Sequence, residues 1–396
     1  MDPVKNPYAP GAGTPPPILA GRDEILTKAR LALERVKIGR SEKSFIAVGL
    51  RGVGKTVIMN HVQTLADDNG YHTAYIEAYD QISLASEITK KLRPILLKLS
   101  RKEKFEDLAK KALRGLRSFA SALNVSFSGV DFSIKSEEGL ADSGDIIADL
   151  PDLFVIVGEA AKEQKTAIAI IIDEIQYLSE TDMEALIMAI HRCNQRSLPV
   201  LLFGAGLPQL RGKMGNAKSY VERLFDFPTV DALNQDEAAR AVLEPALNEG
   251  VEFQKEALNE ILRVTLCYPY FIQEWGHAAW NAAETTSITL EDVKKATPAA
   301  LDRLDKGFFR VRLDRMTPTE KKYIRALAEL GPGPHRSGEV AFIYGAEVQS
   351  VAPIRSSLIG KGMVYSPAHG DTAFTVPLFD DFMKREMPDW KADEKQ

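Results

Sequence analysis

Two cysteines in 396 residues, neither in a C-x-x-C pair nor beside paired histidines, exclude a disulfide framework and a thiolate metal site. Cys193 and Cys267 both fall in helix-like sequence and read as buried thiols of a reducing compartment. No run approaches the roughly 18 uninterrupted apolar residues of a membrane span. The stretch Met1 to Pro17 is rich in Pro, Gly and Ala and has no apolar signal core. No membrane partner is therefore expected, and the expected location is cytoplasmic. Excess positive charge is missing as well. The 50 Lys and Arg are outnumbered by 55 Asp and Glu, giving a net charge of −5, so no global field recruits nucleic acid and any such surface must be local. What remains is a globular composition, 45% hydrophobic, in a chain long enough for two or three domains with their own cores.

The most informative stretch is Gly49-Leu50-Arg51-Gly52-Val53-Gly54-Lys55-Thr56, directly after the apolar run Phe45-Ile46-Ala47-Val48 and before helix-like sequence from Val57 to Ala66. It satisfies G-x-x-x-x-G-K-[ST] at every fixed position and in the required strand, loop, helix order. Glycines let such a loop wrap closely enough for its backbone N–H groups to meet phosphate oxygens, and the helix that follows presents its positive end to the same anion. Lys55 is expected to reach the β- and γ-phosphates and the Thr56 hydroxyl to ligate Mg²⁺. Residues 49, 51–54 and 57, including Arg51, Val53 and Val57, complete the expected nucleotide cradle.

Ala167 to Ile172 form a second signal, six apolar residues running into Asp173-Glu174. Such a run reads as a central parallel strand buried on both faces, whose C-terminal end projects its next residues toward the phosphate loop. Asp173 is the expected holder of the Mg²⁺ shell, and Glu174 the candidate to orient and polarise the attacking water.

Elsewhere the chain offers weaker signals. Residues 82–119 have a helical pattern with an apolar face (Leu108, Leu113, Leu116, Phe119) and a basic one. Between Lys90 and Arg117, eleven Lys or Arg face three acids, which is either a footprint for a polyanion or an ordinary solvated face. Val125 to Ile134 alternate apolar and polar residues around Ser128-Gly129, as a β-hairpin does. Asn234-Gln235-Asp236-Glu237 is a capping box that opens an all-helical segment with helices expected near 236–248, 254–266, 270–284 and 290–296.

With both nucleotide motifs, the chain resembles AAA+ P-loop ATPases of the branch holding origin-recognition initiators and STAND regulatory ATPases. The resemblance covers about residues 18–300. It implies an αβα sandwich whose five-stranded sheet is ordered 5-1-4-3-2, with strands at Phe45–Val48, Thr73–Glu77, Ala167–Ile172, Val200–Gly204 and Phe227–Val230. It also implies an adenine-side segment around Ile18 to Arg22, in which Leu19 and Arg22 are the binding residues. The family often has a polar sensor at the end of the fourth strand. Here that strand ends in Gly204-Ala205-Gly206, which suits a slow switch and leaves Gln176 or Asn194 as substitutes. Arg223, in Ser219 to Phe227, resembles an arginine finger for a neighbouring subunit, with Arg211 as runner-up and an internal pair with Glu222 or Asp226 as the alternative. The G-x-P of STAND lids, whose proline lies near the nucleotide, is matched by Cys267-Tyr268-Pro269 without its glycine.

Beyond residue 300, Thr317 to Leu330, Ser337 to Tyr344 and Val348 to Lys361 read as three helices, and Met363–Tyr365 with Ala373–Val376 as a hairpin. That order describes a winged helix. Nine basic residues balance nine acidic ones between Arg315 and Asp389, so a protein contact competes evenly with DNA reading. The expected organisation is a flexible arm (1–17), an ATPase core (18–234) with an insertion at about 90–145, a helical lid (235–300), a winged-helix module (301–390) and a disordered tail (391–396). ATP and Mg²⁺ are the expected ligands, with assembly into a homo-oligomer in the ATP state. DNA bound through helix 90–117 and the winged helix, or a protein partner, is the further expectation.

Overall fold

The computed structural model describes residues 1–11, 13–101, 106–125 and 139–390. The chain divides into two compact units, Arg22–Gly49 with Lys55–Val230, and Met1–Gly21 with Leu50–Gly54 and Asp231–Gln396.

The first unit runs α1 (Asp23–Lys37), β1 (Ser44–Val48), α2 (Lys55–Asp68), β2 (His72–Glu77), α3 (Leu84–Leu99), α4 (Glu106–Ala122), α5 (Ile146–Glu163), β3 (Ile168–Asp173), α6 (Glu180–Gln195), β4 (Val200–Gly206), α7 (Leu210–Ala217), α8 (Val221–Leu224) and β5 (Phe225–Asp226). The five strands are all parallel, in the order β2-β3-β4-β1-β5, which is the order the resemblance implied. Every residue of β3 is buried, because helices cover both faces of a parallel sheet. Ile168, Ile170 and Ile172 join the core shared with α3 to α6, while Ala169 and Ile171 are buried on the opposite face. The fifth strand differs from expectation. It pairs with β1 at Phe225 and Asp226, ahead of the expected Phe227–Val230, and contact resumes only as a bridge between Thr229 and Val48. Pro228 has no N–H to give to a ladder, so the pairing breaks there, although its carbonyl accepts from Val48 N–H at 2.9 Å. The single expected helix over 82–119 is two helices, and the expected hairpin lies, from Ser126 onward, outside the described residues.

The second unit holds α9 (Gln235–Asn248), β6 (Glu252–Phe253), α10 (Lys255–Thr265), α11 (Pro269–Ala282), β7 (Ser287–Ile288) and α12 (Leu290–Arg303). Asn234 and Glu237 form the expected capping box of α9, and Trp275 and Trp280 are buried as core residues. The fourth helix is longer than its expected 290–296. It passes through a π-helical segment, Leu304–Phe309, into α13 (Arg310–Asp314), so the expected boundary at 300 falls inside a helical run. Buried Leu304 and Phe309 are five residues apart, and a π-turn keeps residues of that spacing on one face. The joint between α10 and α11 places two non-glycine residues in the left-handed region, Leu266 (φ 53°, ψ 32°) and Cys267 (φ 54°). Cys267 thus holds the backbone conformation that a glycine would adopt freely, in a loop and half-buried, which corrects its reading as a buried helical thiol. Cys193 is fully buried in α6, and burial pushes its thiol up to about 12.

Residues 1–11, expected to be a flexible arm, are anchored on α9 and α11. The Tyr8 hydroxyl donates to the Val242 carbonyl and its ring is buried, Asn6 Nδ2 donates to the His277 carbonyl at 3.0 Å, and Trp280 Nε1 donates to the Asp2 carbonyl at 2.9 Å. Burying one tyrosine ring outweighs the proline and glycine content that pointed to disorder.

The unit ends with α14 (Pro318–Glu329), β8 (His335–Arg336), α15 (Ser337–Tyr344), α16 (Val348–Gly360), β9 (Val364–Tyr365), β10 (Asp371–Phe374) and α17 (Phe379–Glu386). The three helices and hairpin have the expected order, and β8 adds a strand to give a small antiparallel sheet, β8-β10-β9. Buried Glu320 joins its helices. It closes the capping box on Thr317 and accepts from Ser357 Oγ at 2.7 Å and Lys361 Nζ at 2.7 Å. Burial raises its pKa, but hydrogen bonds from Lys361, Thr317 N–H and Ser357 outweigh that and hold the carboxyl at about 2. Its folded pKa lies below its unfolded one, so its stabilisation is present above pH 4.5 and lost as pH falls toward 2. Glu320→Gln is expected to lower unfolding free energy at neutral pH by about 1–3 kcal/mol. The loss should shrink steadily as unfolding is measured at pH values from 4.5 downward.

Candidate functional site

The groups that the first unit gathers at the C-terminal ends of its strands follow from strand geometry. β3 ends at Asp173 in register with Glu77 of β2, and α2 begins at Lys55 after the loop that leaves β1. Thr56 Oγ1 donates to Asp173 Oδ2 at 2.6 Å, joining the first turn of α2 to the end of β3. Lys55 is buried, and its Nζ donates to the Gly49 carbonyl at 3.0 Å, while Gly49 N–H donates to the Gly206 carbonyl of β4 at 3.1 Å. Asp173 Oδ1 accepts from the Glu174 N–H at 2.8 Å. Burial raises the Asp173 pKa, the neighbouring Glu174 charge adds to the rise, and the Thr56 hydroxyl and Lys55 act against it. Lys55, Thr56, Asp173 and Glu174 are therefore brought together as expected.

Glu174 has a left-handed backbone (φ 52°, ψ 36°) and caps a single 3₁₀ turn, Ile175–Tyr177. Its carboxylate accepts from Gln176 Nε2, and Gln176 Oε1 accepts from Leu207 N–H at 3.1 Å. Asn194, the other expected substitute for a sensor, lies in α6 and lines a separate surface depression with Lys162 and Lys165.

Within the second unit, the segment Leu50–Gly54 has its own partners. Gly52 and Gly54 have φ values of 86° and 94°, which only glycine adopts without strain. Arg51 N–H donates to the Thr375 carbonyl at 3.2 Å and Arg51 Nε to the Gly362 carbonyl at 3.3 Å. The Arg51 carbonyl accepts from the Tyr268 hydroxyl, and the Gly52 carbonyl accepts from Tyr270 N–H at 3.3 Å. In the sequence Tyr268 was only the middle residue of Cys267-Tyr268-Pro269, and Tyr270 carried no signal. The side chains of Val53 and Val57 are buried, so these residues contribute packing and backbone. Leu19 is half-buried in the second unit, Arg22 is buried in the first as the residue preceding α1, and Pro269 is the first residue of α11.

Arg223 is exposed on α8, and its guanidinium makes no ion pair among the described residues. The alternative partner Asp226 is bridged instead by Lys43 at 3.4 Å. Arg223 lies two residues before the start of β5, whose first residue pairs with Ser44 at the start of β1, whereas the phosphate loop leaves the end of β1. The five residues of β1, at about 3.3 Å each, therefore separate Arg223 from its own loop along the sheet. Arg211 is committed internally, its Nη2 donating to the Phe227 carbonyl at 2.6 Å and to Thr229 Oγ1 at 2.7 Å.

Among the described residues no three His, Cys, Asp or Glu side chains gather into a metal site. Mg²⁺ is held by one or two protein oxygens together with waters and phosphates, and the Thr56 hydroxyl and Asp173 carboxylate are hard donors of that kind. Residues 18–203 match the family described as AAA ATPase domain. The chain contains an AAA+ P-loop ATPase domain. It is thus an ATP-binding ATPase, and its parallel sheet is the P-loop NTPase fold. Residues 306–383 match a family described as a domain of unknown function, DUF8462. No curated protein matches the chain. Among solved structures it is similar to a Walker-type ATPase of Pyrococcus abyssi, at 15% identity and TM-score 0.56, covering 92% of this chain and 96% of that one. It is also similar to the ORC1 protein of Aeropyrum pernix in complex with DNA (17% identity, TM-score 0.45, 94% of each chain). A third likeness is to the RuvB Holliday junction branch migration motor of Thermotoga maritima (16% identity, TM-score 0.43, 89% and 92%). No helix among the described residues is long and apolar enough to cross a membrane.

The raised pKa of Asp173 means that it opposes folding progressively as pH rises above 3.8, because the unfolded chain gives up its proton first. Asp173→Asn is expected to raise the thermal stability of the nucleotide-free protein at neutral pH by an amount of order 1 kcal/mol. The Thr56 hydroxyl can turn to accept from the new amide. The gain should vanish in unfolding curves taken below pH 3.8, where the carboxyl is protonated in both states.

Proposed function

We propose that this protein is a nucleotide-dependent conformational switch, in which ATP and Mg²⁺ bind the phosphate loop and slow hydrolysis resets the molecule. The observation that carries the reading is the short bond between Thr56 and Asp173, beside Lys55 folded back on Gly49. Groups that would ligate Mg²⁺ and phosphate satisfy one another, and a triphosphate would exchange these internal partners for its own oxygens. In that reaction Lys55 neutralises charge on the β- and γ-phosphates, and Thr56 and Asp173 would hold Mg²⁺, whose charge would screen the phosphate oxygens. A water oxygen bonds to the γ-phosphorus as the bond to the β–γ bridging oxygen breaks. Glu174 takes the water's proton, which leaves with the phosphate.

Arg223 serves the site of a neighbouring copy. Its place at the far edge of the sheet suits action across an interface, so the active form is a homo-oligomer assembled in the ATP state. Leu19, Arg22 and Pro269 border the base in this reading, which places the protein in the origin-recognition and STAND-like branch and in the cytoplasm. The lid spans about 235–300, and the C-terminal module is a winged helix.

A second reading, DNA binding, is favoured by the basic residues of α3 and α4, of which Lys91, Lys98 and Lys110 are exposed. The C-terminal module weighs toward a protein partner instead. On its third helix, α16, Arg355 is spent on Thr372 Oγ1 at 2.7 Å and Ser366 Oγ at 2.9 Å, and the adjoining Lys361 on Glu320, so few cations remain for a groove.

Equilibrium binding with a fluorescent ATP analogue and steady-state turnover test the first reading. Lys55→Ala should lose nucleotide binding, and Glu174→Gln should bind normally while turnover falls about 100-fold or more. Equal affinity of Lys55→Ala and wild type would sink it. For the second reading, affinity for duplex DNA should fall steeply with added salt, whereas no binding at low salt removes DNA as partner.

A further inference from the structure

We propose that Gln176 is the positioning residue that aims the Glu174 carboxylate, replacing the polar side chain that the end of β4 lacks. This inference rests on the assignment of Glu174 as the group that polarises water. Gln176 spans two fixed points. Its Oε1 accepts from the Leu207 N–H at 3.1 Å, immediately after β4, and its Nε2 donates to Glu174 Oε2. The orientation of the amide is set by its partners, since a backbone N–H requires an oxygen and a carboxylate requires a donor. A reversed amide would face donor with donor and acceptor with acceptor.

The backbone around this link is braced on both sides. Lys213 Nζ from α7 donates to the carbonyls of Gln176 and Leu178, each at 3.4 Å, which pins the 3₁₀ turn. Glu174 itself sits in the left-handed region, so its side chain leaves the strand end in a direction that extended backbone would not give. A side chain in this arrangement loses little freedom on reaching a transition state, and such alignment is where positioning groups contribute to rate.

Gly206 explains why β4 carries no polar side chain of its own. A Cβ at this position would stand 2.8 Å from Gln176 Oε1 and 2.8 Å from Leu210 Cδ2. Any larger residue displaces the amide, so the space at the strand end belongs to Gln176. The glycine of β4 and the glutamine of the 3₁₀ turn are two halves of one device, and the apparent gap in the sequence at 204–206 is filled from a different segment of the chain.

The test uses the full-length chain and measures kcat, KM and ATP-analogue affinity for Gln176→Ala, Gln176→Met, Gly206→Ala and the Gln176→Ala/Gly206→Ala double variant, with thermal melts to confirm folding. Each single variant should lower kcat about 10- to 100-fold, with KM and analogue affinity within about twofold of wild type. The double variant should be no slower than the worse single, because both remove the same link. In the Glu174→Gln background, Gln176→Ala should have no further effect on kcat. Wild-type kcat in folded Gln176→Ala and Gln176→Met, a rise in kcat, or additive losses in the double variant would each overturn the proposal. If Glu174→Gln also turned over at the wild-type rate, the assignment of Glu174 would have failed; if only the Gln176 variants did, the positioning role alone would have failed.

Discussion

The bond between Thr56 and Asp173 is the constraint on which the proposed site depends. It ties together two segments far apart in sequence, one at the start of α2 and the other at the end of β3. Its geometry is set by strand register, because side chains alternate faces along a strand and a slip of one residue would turn Asp173 away. Six consecutive pairings with β2, from His72 with Ile168 to Glu77 with Asp173, hold that register, and β4 holds the other side. An apolar, fully covered strand thus serves as the rigid mount for a charged group at its tip.

Burying Asp173 and Lys55 is costly unless polar partners compensate. The carboxylate receives the Thr56 hydroxyl and the Glu174 N–H, and the ammonium donates to the Gly49 carbonyl. A metal ion or a phosphate would be a stronger partner for these groups than a hydroxyl, an amide or a carbonyl. A protein whose shape follows its nucleotide needs such a difference between states, because a ligand shifts an equilibrium only by binding one state better.

Both nucleotide motifs and the order of the C-terminal elements were legible because they rest on local pattern, whereas the strand order came from the family resemblance alone. Apolar runs, glycine punctuation and capping boxes at Asn234 and Thr317 report directly on backbone. Features decided by tertiary contact were not. The arm has loop composition, and the burial of Tyr8 together with the hydrogen bonds of Asn6 and Asp2 anchors it. The fifth strand starts earlier than its apolar run because Pro228 interrupts the ladder. Helix α12 outlasts its expected end because Leu304 and Phe309 stay on one face through a π-turn, which ordinary helical periodicity does not anticipate. At the site, the missing polar residue of β4 was visible, and Gln176 was one of two candidates to replace it. Its choice over Asn194 is a matter of reach: a residue two positions beyond Glu174, on a tight turn, lies between the carboxylate and Leu207.

Leu266 and Cys267 hold consecutive left-handed backbones without the glycine that would relax them, at a cost on the order of 1–2 kcal/mol each. That joint lies immediately before Tyr268, Pro269 and the fourteen residues of α11. A helix mounted on a loaded joint behaves as a sprung lever, since rotation that returns either residue to negative φ recovers part of the stored energy. Any rotation of α11 about this joint would then be partly offset at its start, with the length of the helix enlarging a change confined to two peptide units.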